Sequence, residues 1–158
     1  MTELKLTKLQ VLDFLKKHKL MSIATYGDHP WIATVYYSYD DVMNIYFLSS
    51  PETLHAMHIK KNELVAISIA DSDQKPADIK RGLQLYGHAQ QISDSAKIQH
   101  ALRLWKETLN ISDPLLSYQN MMKKVVKGRM YRITPKKIKL FDQELFDVED
   151  GQEPVLLV

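Results

Sequence analysis

Along this chain, stretches of period-two alternation trade places with stretches of helical period, and that exchange lays out most of the elements. Thr7–His18 carries apolar Val11, Leu12 and Leu15 among Lys8, Asp13, Lys16 and Lys17. Thr7 and Gln10 also fit a capping box, so the spacing predicts a surface helix with one buried stripe. Leu20–Tyr26 reads as a strand, ended by the turn cluster Gly27-Asp28-His29-Pro30. Trp31–Tyr39 is rich in β-branched and aromatic residues and reads as the next strand. Trp31, Ala33, Val35, Tyr37 and Tyr39 fall on one face, and Ile32, Thr34, Tyr36 and Ser38 on the other. Both faces are substantially apolar, so each is expected to meet core, cofactor or partner. Asp40-Asp41 then starts a hairpin turn into Asn44–Ser49.

A helix is predicted from Pro51 to Lys60, with Ser50 as its N-cap and Pro51 at the first helical position. Leu64–Ala70 is a strand and Asp71–Lys80 a polar loop. Leu83–Ile92 is a further strand, bracketed by Gly82 and interrupted by Gly87, which predicts a bulge or a close backbone approach. Ser95–Leu109 places Ile98, Leu102, Trp105 and Leu109 on one helical stripe, read as core or a dimer contact. Residues 111–127 read as irregular chain followed by a short helix. Met130–Ile133 and Ile138–Phe141 read as two strands separated by Thr134-Pro135. The tail after Asp147 is acidic but ends in Val155-Leu156-Leu157-Val158, so residues 146–158 are expected to pack on the body or on a partner subunit. Six or seven strands with short antiparallel links, plus two or three helices, predict an α+β, mainly β, barrel-like domain rather than a parallel βαβ sheet.

Composition narrows the classes. At 158 residues the chain is read as a single domain, 1–158, with a sizeable core. A formal charge of +2 does not make nucleic acid or an anionic membrane the default partner. No cysteine is present, which removes disulfides, thiolate metal sites and cysteine nucleophiles. Met1–Lys5 leads into an amphipathic helix rather than the apolar core of a signal peptide, and no run approaches the ~20 apolar residues of a membrane span. A cytoplasmic protein is therefore expected.

The densest chemistry lies in Phe47-Leu48-Ser49-Ser50-Pro51-Glu52-Thr53-Leu54-His55, where a strand runs directly into the N-terminus of the predicted helix. A helix start offers unpaired N–H groups and a partial positive charge, suited to an anion and above all to phosphate. Ser49, Ser50, Thr53 and His55 are the candidate ligands. An imidazole near its ordinary pKa of about 6.5 would be partly charged at neutral pH, making anion affinity pH-dependent. The plainer alternative is that Ser50 and Thr53 only cap the helix and His55 lies on the surface. His55 and His58 resemble a zinc pair in spacing but lack third and fourth ligands, so no metal is expected. Lys123, Lys124, Lys127, Arg129 and Arg132 form a basic run, read as a solvated face or cofactor rim rather than a nucleic-acid site. No catalytic triad, dinucleotide loop or P-loop is present.

The order of these fragments resembles the pyridoxamine 5′-phosphate oxidase-like FMN-binding split-barrel superfamily. The resemblance is carried by Ile23-Ala24-Thr25 with Pro30, by Ile45-Tyr46-Phe47-Leu48-Ser49 followed by Thr53-Leu54-His55, and by Asn62-Glu63-Leu64-Val65. Gly82–Gly87 and Tyr131-Arg132-Ile133-Thr134-Pro135 through Phe141 complete it, over residues 9 to 142. Arg81-Gly82-x-Gln84-x-x-Gly87 and the pairing of Thr53 with His55 are most similar to a small bacterial branch. The resemblance implies an antiparallel split barrel that dimerises with itself and holds FMN at the subunit interface. It implies phosphate contacts at Ser49, Thr53 and His55, although His55 stands where lysine is commoner. It places Thr34, Val35 and Tyr36 beneath the flavin ring, Gln84 at its pyrimidine edge, Arg81 reaching across the dimer and Phe141 near the ring. Plain packing or solvent exposure is the alternative for each of these six.

The implied function is an FMN-dependent oxidoreductase of unknown substrate, with the redox chemistry carried by the flavin and no catalytic acid, base or nucleophile assigned. Pyridoxamine phosphate oxidation itself is not expected, because Phe141 is followed by Asp142, Glu144, Asp147, Glu149 and Asp150 where a basic substrate clamp should lie. Two other classes stay open: a non-catalytic flavin or haem carrier or sensor, and a basic nucleic-acid module.

Overall fold

In the computed structural model, which describes residues 4–158, each helix begins where a polar side chain caps it. The lead-in read at Met1–Lys5 falls partly on residues 1–3, outside the described residues. Helix α1 (Lys8–Lys16) carries the capping box: Gln10 N donates to Thr7 Oγ1 at 3.2 Å, and Thr7 N donates to Gln10 Oε1 at 3.0 Å. Helix α2 (Leu54–Lys61) starts three residues later than the sequence suggests, with Thr53 rather than Ser50 as its N-cap. The reason is a tight turn at Ser50: its carbonyl accepts from Thr53 N at 3.1 Å and from Thr53 Oγ1 at 2.8 Å. Helix α3 (Ser95–Thr108) is capped by Asp94, and the short α4 (Tyr118–Met122) by Ser117.

Eight strands form one sheet: β1 (Leu20–Tyr26), β2 (Pro30–Tyr36), β3 (Ser38–Tyr39), β4 (Ile45–Ser49), β5 (Leu64–Ala70), β6 (Arg81–Gln91), β7 (Arg129–Asp142) and β8 (Val155–Leu157). The order is β2-β1-β5-β6-β7-β4-β3, with β8 on β7, and every pairing is antiparallel. The sheet curls until β2 comes against β4, so the architecture is an α+β split barrel flanked by four helices among the described residues. Alternation decides the inside: Val65, Ile67 and Ile69 of β5 are buried while Leu64, Ala66, Ser68 and Ala70 face out. Ile23, Ile45, Phe47, Leu83 and Ile133 fill the barrel, and Ala56 and Ile59 of α2 join them. A second core under α3 gathers Tyr46, Ile98, Leu102, Trp105, Met121 and Met130.

Two strand assignments change. Trp31–Tyr39 breaks at Tyr37, because that buried side chain donates to Leu15 O at 2.8 Å and its N–H turns to Lys19 O at 3.0 Å. This anchors α1 to the sheet and leaves residue 37 off the ladder. The two strands expected around Thr134-Pro135 are instead one. Pro135 has no N–H, and the ladder absorbs it by a register shift: Gly87 opposes Pro135, Tyr86 opposes Lys137, and Lys136 is the extra residue. Gly87 is required there, since a Cβ would overlap the Thr134 carbonyl. The apolar C-terminus pairs with Lys137–Lys139 of its own chain.

Gly87→Ala would force backbone against backbone, which no side-chain rotation relieves. A loss of about 1–3 kcal/mol is expected, in line with overpacked cores, and urea unfolding would measure it. An unchanged midpoint would mean the bulge is freer than described.

Candidate functional site

Two groups of polar residues emerge, on opposite faces of the sheet. The first lies at the barrel mouth, where β4 ends and α2 begins. Ser49 shares the inward face of β4 with Phe47, whose ring stacks on Tyr131 of β7 at 5.0 Å between centroids. Ser49 Oγ is 2.5 Å from His55 Nε2, and Thr53 Oγ1 is 3.3 Å from the same nitrogen. Thr53 gives its one hydroxyl proton to Ser50 O, so towards His55 it can only accept. With the imidazole proton on Nε2, Ser49 Oγ would accept from it as well, and the Ser49 hydroxyl hydrogen would be free to point elsewhere.

His55 is buried, not a surface residue, at 8% exposure. Burial pulls its pKa below the ordinary imidazole value, and the neighbouring His58 adds to the effect. Burial thus favours the neutral side chain, which suits orienting hydroxyls more than supplying the partial charge the sequence suggested. A cation does stand nearby. Arg129 is the register partner of Ser49 on β7 and shares its face, with Nη1 donating to Val126 O at 2.9 Å and Gly128 O at 2.8 Å. Behind the cluster, His58 Nδ1 lies 3.0 Å from Thr25 Oγ1, and its ring rests so closely on Gly27 that a Cβ there would come within 2.5 Å of it. His29 meets His58 edge to face at 5.5 Å. Among the described residues, no group of three or more His, Asp or Glu is placed to hold a metal ion.

The second group lies on the outward face. Register places Thr34, Ser22, Ser68, Gln84, Lys139 and Val155 in one row across six strands. The adjacent row is Ile32, Ala24, Ala66, Tyr86, Lys137 and Leu157. The small side chains of β1 and β5 leave a depression of about 420 Å³ there, with Ile32, Gln84 and Tyr86 on its walls. Ile32 and Leu157 are 65% and 75% exposed.

The remaining sequence candidates divide. Tyr36 is exposed on the outward face, whereas Val35 points inward and packs against the core. Phe141 lies over Gly82, its register partner, where any Cβ would overlap the ring. Arg81 is held by its own chain, by Asp142 at 3.2 Å and by Glu144. Ser50 Oγ accepts from Glu52 N at 3.3 Å within the turn. Sequence reasoning did not single out Arg129, Ser22 or Ser68. Arg129 was visible only as part of a basic run, and its place beside Ser49 depends on a pairing across 80 residues (129 − 49).

A histidine whose pKa is lowered on folding binds its proton more readily when unfolded, so its contribution to stability is complete above about pH 6.5 and is lost as pH falls below it. Chemical denaturation at pH 7 and pH 5 is expected to show a smaller acid loss for His55→Gln than for the parent protein. Equal losses would place the acid sensitivity elsewhere.

The sequence model of the pyridoxamine 5′-phosphate oxidase family matches residues 7–141. Among curated proteins none matches. Solved structures share the fold. A conserved hypothetical protein from Mycobacterium tuberculosis superposes with a TM-score of 0.73 at 16% identity, over 96% of this chain and 94% of that one. A Clostridium acetobutylicum protein related to general stress protein 26 of B. subtilis, described as of the pyridoxinephosphate oxidase family, gives 0.66 at 15% identity over 96% and 94%. A heme binding protein from Mycobacterium smegmatis gives 0.69 at 12% identity, over 98% of this chain and 60% of that one. At such identities these likenesses speak for the fold alone.

Proposed function

Because the chain belongs to the pyridoxamine 5′-phosphate oxidase family, we propose that it is an FMN-binding flavoprotein, an oxidoreductase that works as a homodimer. The observation that carries the reading is the β4–α2 junction: a neutral imidazole fixes two hydroxyl oxygens at a helix start, with Arg129 beside them. That donor set suits a phosphate. Ser49 offers a free hydroxyl hydrogen, the first turn of α2 offers backbone N–H groups and partial positive charge, and Arg129 offers the full charge that His55 does not. When bound, FMN would supply hydride and electron transfer; the protein's part is to bind, orient and exclude water.

The topology supports a place for the ring along β2. β2 pairs only with β1, so its other edge is free along Thr34, Val35 and Tyr36 where it approaches β4. Backbone groups there suit the edge of a flat heterocycle, whatever the side chains do. Gln84 lies on the outward face, away from the mouth of its own barrel, so it would serve the flavin held by a second copy. The exposed row Ile32, Ala24, Ala66, Tyr86 supports that copy: solvent-facing apolar residues in a contiguous patch favour a partner. With Arg81 tied to Asp142 and Glu144, the region beyond Phe141 is acidic and suits an uncharged or cationic substrate better than a phosphorylated one.

Purified protein mixed with FMN and desalted is expected to retain about one flavin per chain, read from its visible spectrum, and to sediment as a dimer. Retention of haem in preference to flavin would favour a carrier or sensor, and retention of neither would overturn the reading. Ser49→Ala is expected to weaken FMN binding by roughly 10–100-fold, the range for one hydrogen bond to a charged group. Ile32→Asp should give monomers that have lost flavin as well, because each site would then lack its second subunit.

A further inference from the structure

The formal charge of +2 conceals a segregation. Residues 114–141 hold eight Lys or Arg and no acid, whereas residues 142–153 hold six acids and no base. Three of the eight bases, Lys123, Lys124 and Lys127, gather in the loop before β7, and the other five, Arg129, Arg132, Lys136, Lys137 and Lys139, lie along that strand. At its start lies the loop after α4, where Lys123, Lys124 and Lys127 are exposed. At its far end Asp142 and Glu144 are paired with Arg81.

The basic end also carries apolar side chains that nothing in the chain covers. Asn120 ties its two loops together: its side chain donates to Leu115 O at 2.7 Å, and its carbonyl accepts from Val125 N at 2.9 Å and Val126 N at 3.1 Å. Leu115 and Val125, each 64% exposed, are thereby presented side by side, with Met122 at 46%. Lys124 takes a left-handed backbone, φ 60°, to turn the loop at this point. Asp113 accepts from Leu115 N at 2.9 Å and fixes the turn that presents Leu115. The result is a tip of aliphatic side chains beside Lys123, Lys124 and Lys127, in the loop whose Val126 and Gly128 carbonyls hold Arg129.

We propose that this tip docks the protein on an anionic membrane surface, with Leu115, Val125 and Met122 entering the headgroup boundary and the lysines meeting lipid phosphates and carboxylates. Aliphatic side chains beside lysines suit a bilayer interface, where apolar burial and surface charge act together. A nucleic-acid site would use the charges but leave Leu115 and Val125 without a role. No helix among the described residues is long and apolar enough to cross a membrane, and docking needs none.

The test is co-sedimentation of the full chain with vesicles of phosphatidylcholine alone or mixed with phosphatidylserine, using circular dichroism to confirm that each variant is folded. Binding is expected only with phosphatidylserine present, and is expected to weaken with salt. Lys123→Glu with Lys124→Glu should lower affinity by at least about 25-fold, from roughly fivefold per lysine near the surface. Leu115→Asp with Val125→Asp should abolish binding, and both pairs are exposed enough to keep the fold. Equal binding to both vesicle types, no binding to either, or binding indifferent to the Leu115/Val125 change would overturn the proposal. So would tighter, steeply salt-dependent binding to duplex DNA that survives that change, or self-association lost with it while vesicles stay unbound.

Discussion

The structure depends on one strand. Arg129–Asp142 pairs with β6 along its length, with β4 on the other side of its first half and with β8 on the other side of its second. It can do so only because the ladder slips by one residue at Pro135, where Gly87 lets the two backbones approach. The slip lets one strand turn a corner of the barrel. Its first half places Arg129 and Tyr131 on the inward face at the mouth, and its second half places Lys137, Lys139 and Phe141 on the outward face. The Ser49–Thr53–His55 cluster and the outer groove are therefore opposite ends of one structural decision.

Much of this was legible in the residues. Alternation in Leu20–Tyr26 and Leu64–Ala70 and the stripe of Ser95–Leu109 gave the right elements because their local preference and their burial agree. The misreadings share a cause: tertiary contacts won over local signals. Proline between two apolar runs reads as a break, yet a facing glycine admitted it into a continuous strand. Ser50-Pro51 is a sound helix start in isolation, yet Thr53 spends its hydroxyl on the Ser50 carbonyl and takes the cap itself. Trp31–Tyr39 looks like one strand until the Tyr37 hydroxyl is seen to reach α1.

The candidate site was legible as a set of residue types and not as an electrostatic arrangement. The hydroxyls and imidazole at 49–55 come together as their spacing suggested, but burial disfavours the imidazole's charge. Arg129, the register partner of Ser49, arrives from a strand that local sequence cannot place. Likewise Thr34 and Gln84 share a row only through β1 and β5, whose serines and alanines carry no chemical signal of their own. Small side chains matter there by what they leave open.

The same long-range pairing sets a timetable for synthesis. Ile45–Ser49, with its Ile-Tyr-Phe-Leu run, leaves the ribosome about 80 residues before Arg129–Ile133, the strand that covers its open edge. At roughly 5–20 residues per second the nascent chain carries that edge exposed for on the order of ten seconds. Only the two-residue hairpin partner Ser38–Tyr39 shields its other side meanwhile. The barrel is thus most vulnerable to aggregation while half made, with Ile45, Tyr46 and Phe47 open to solvent until the later strand buries them.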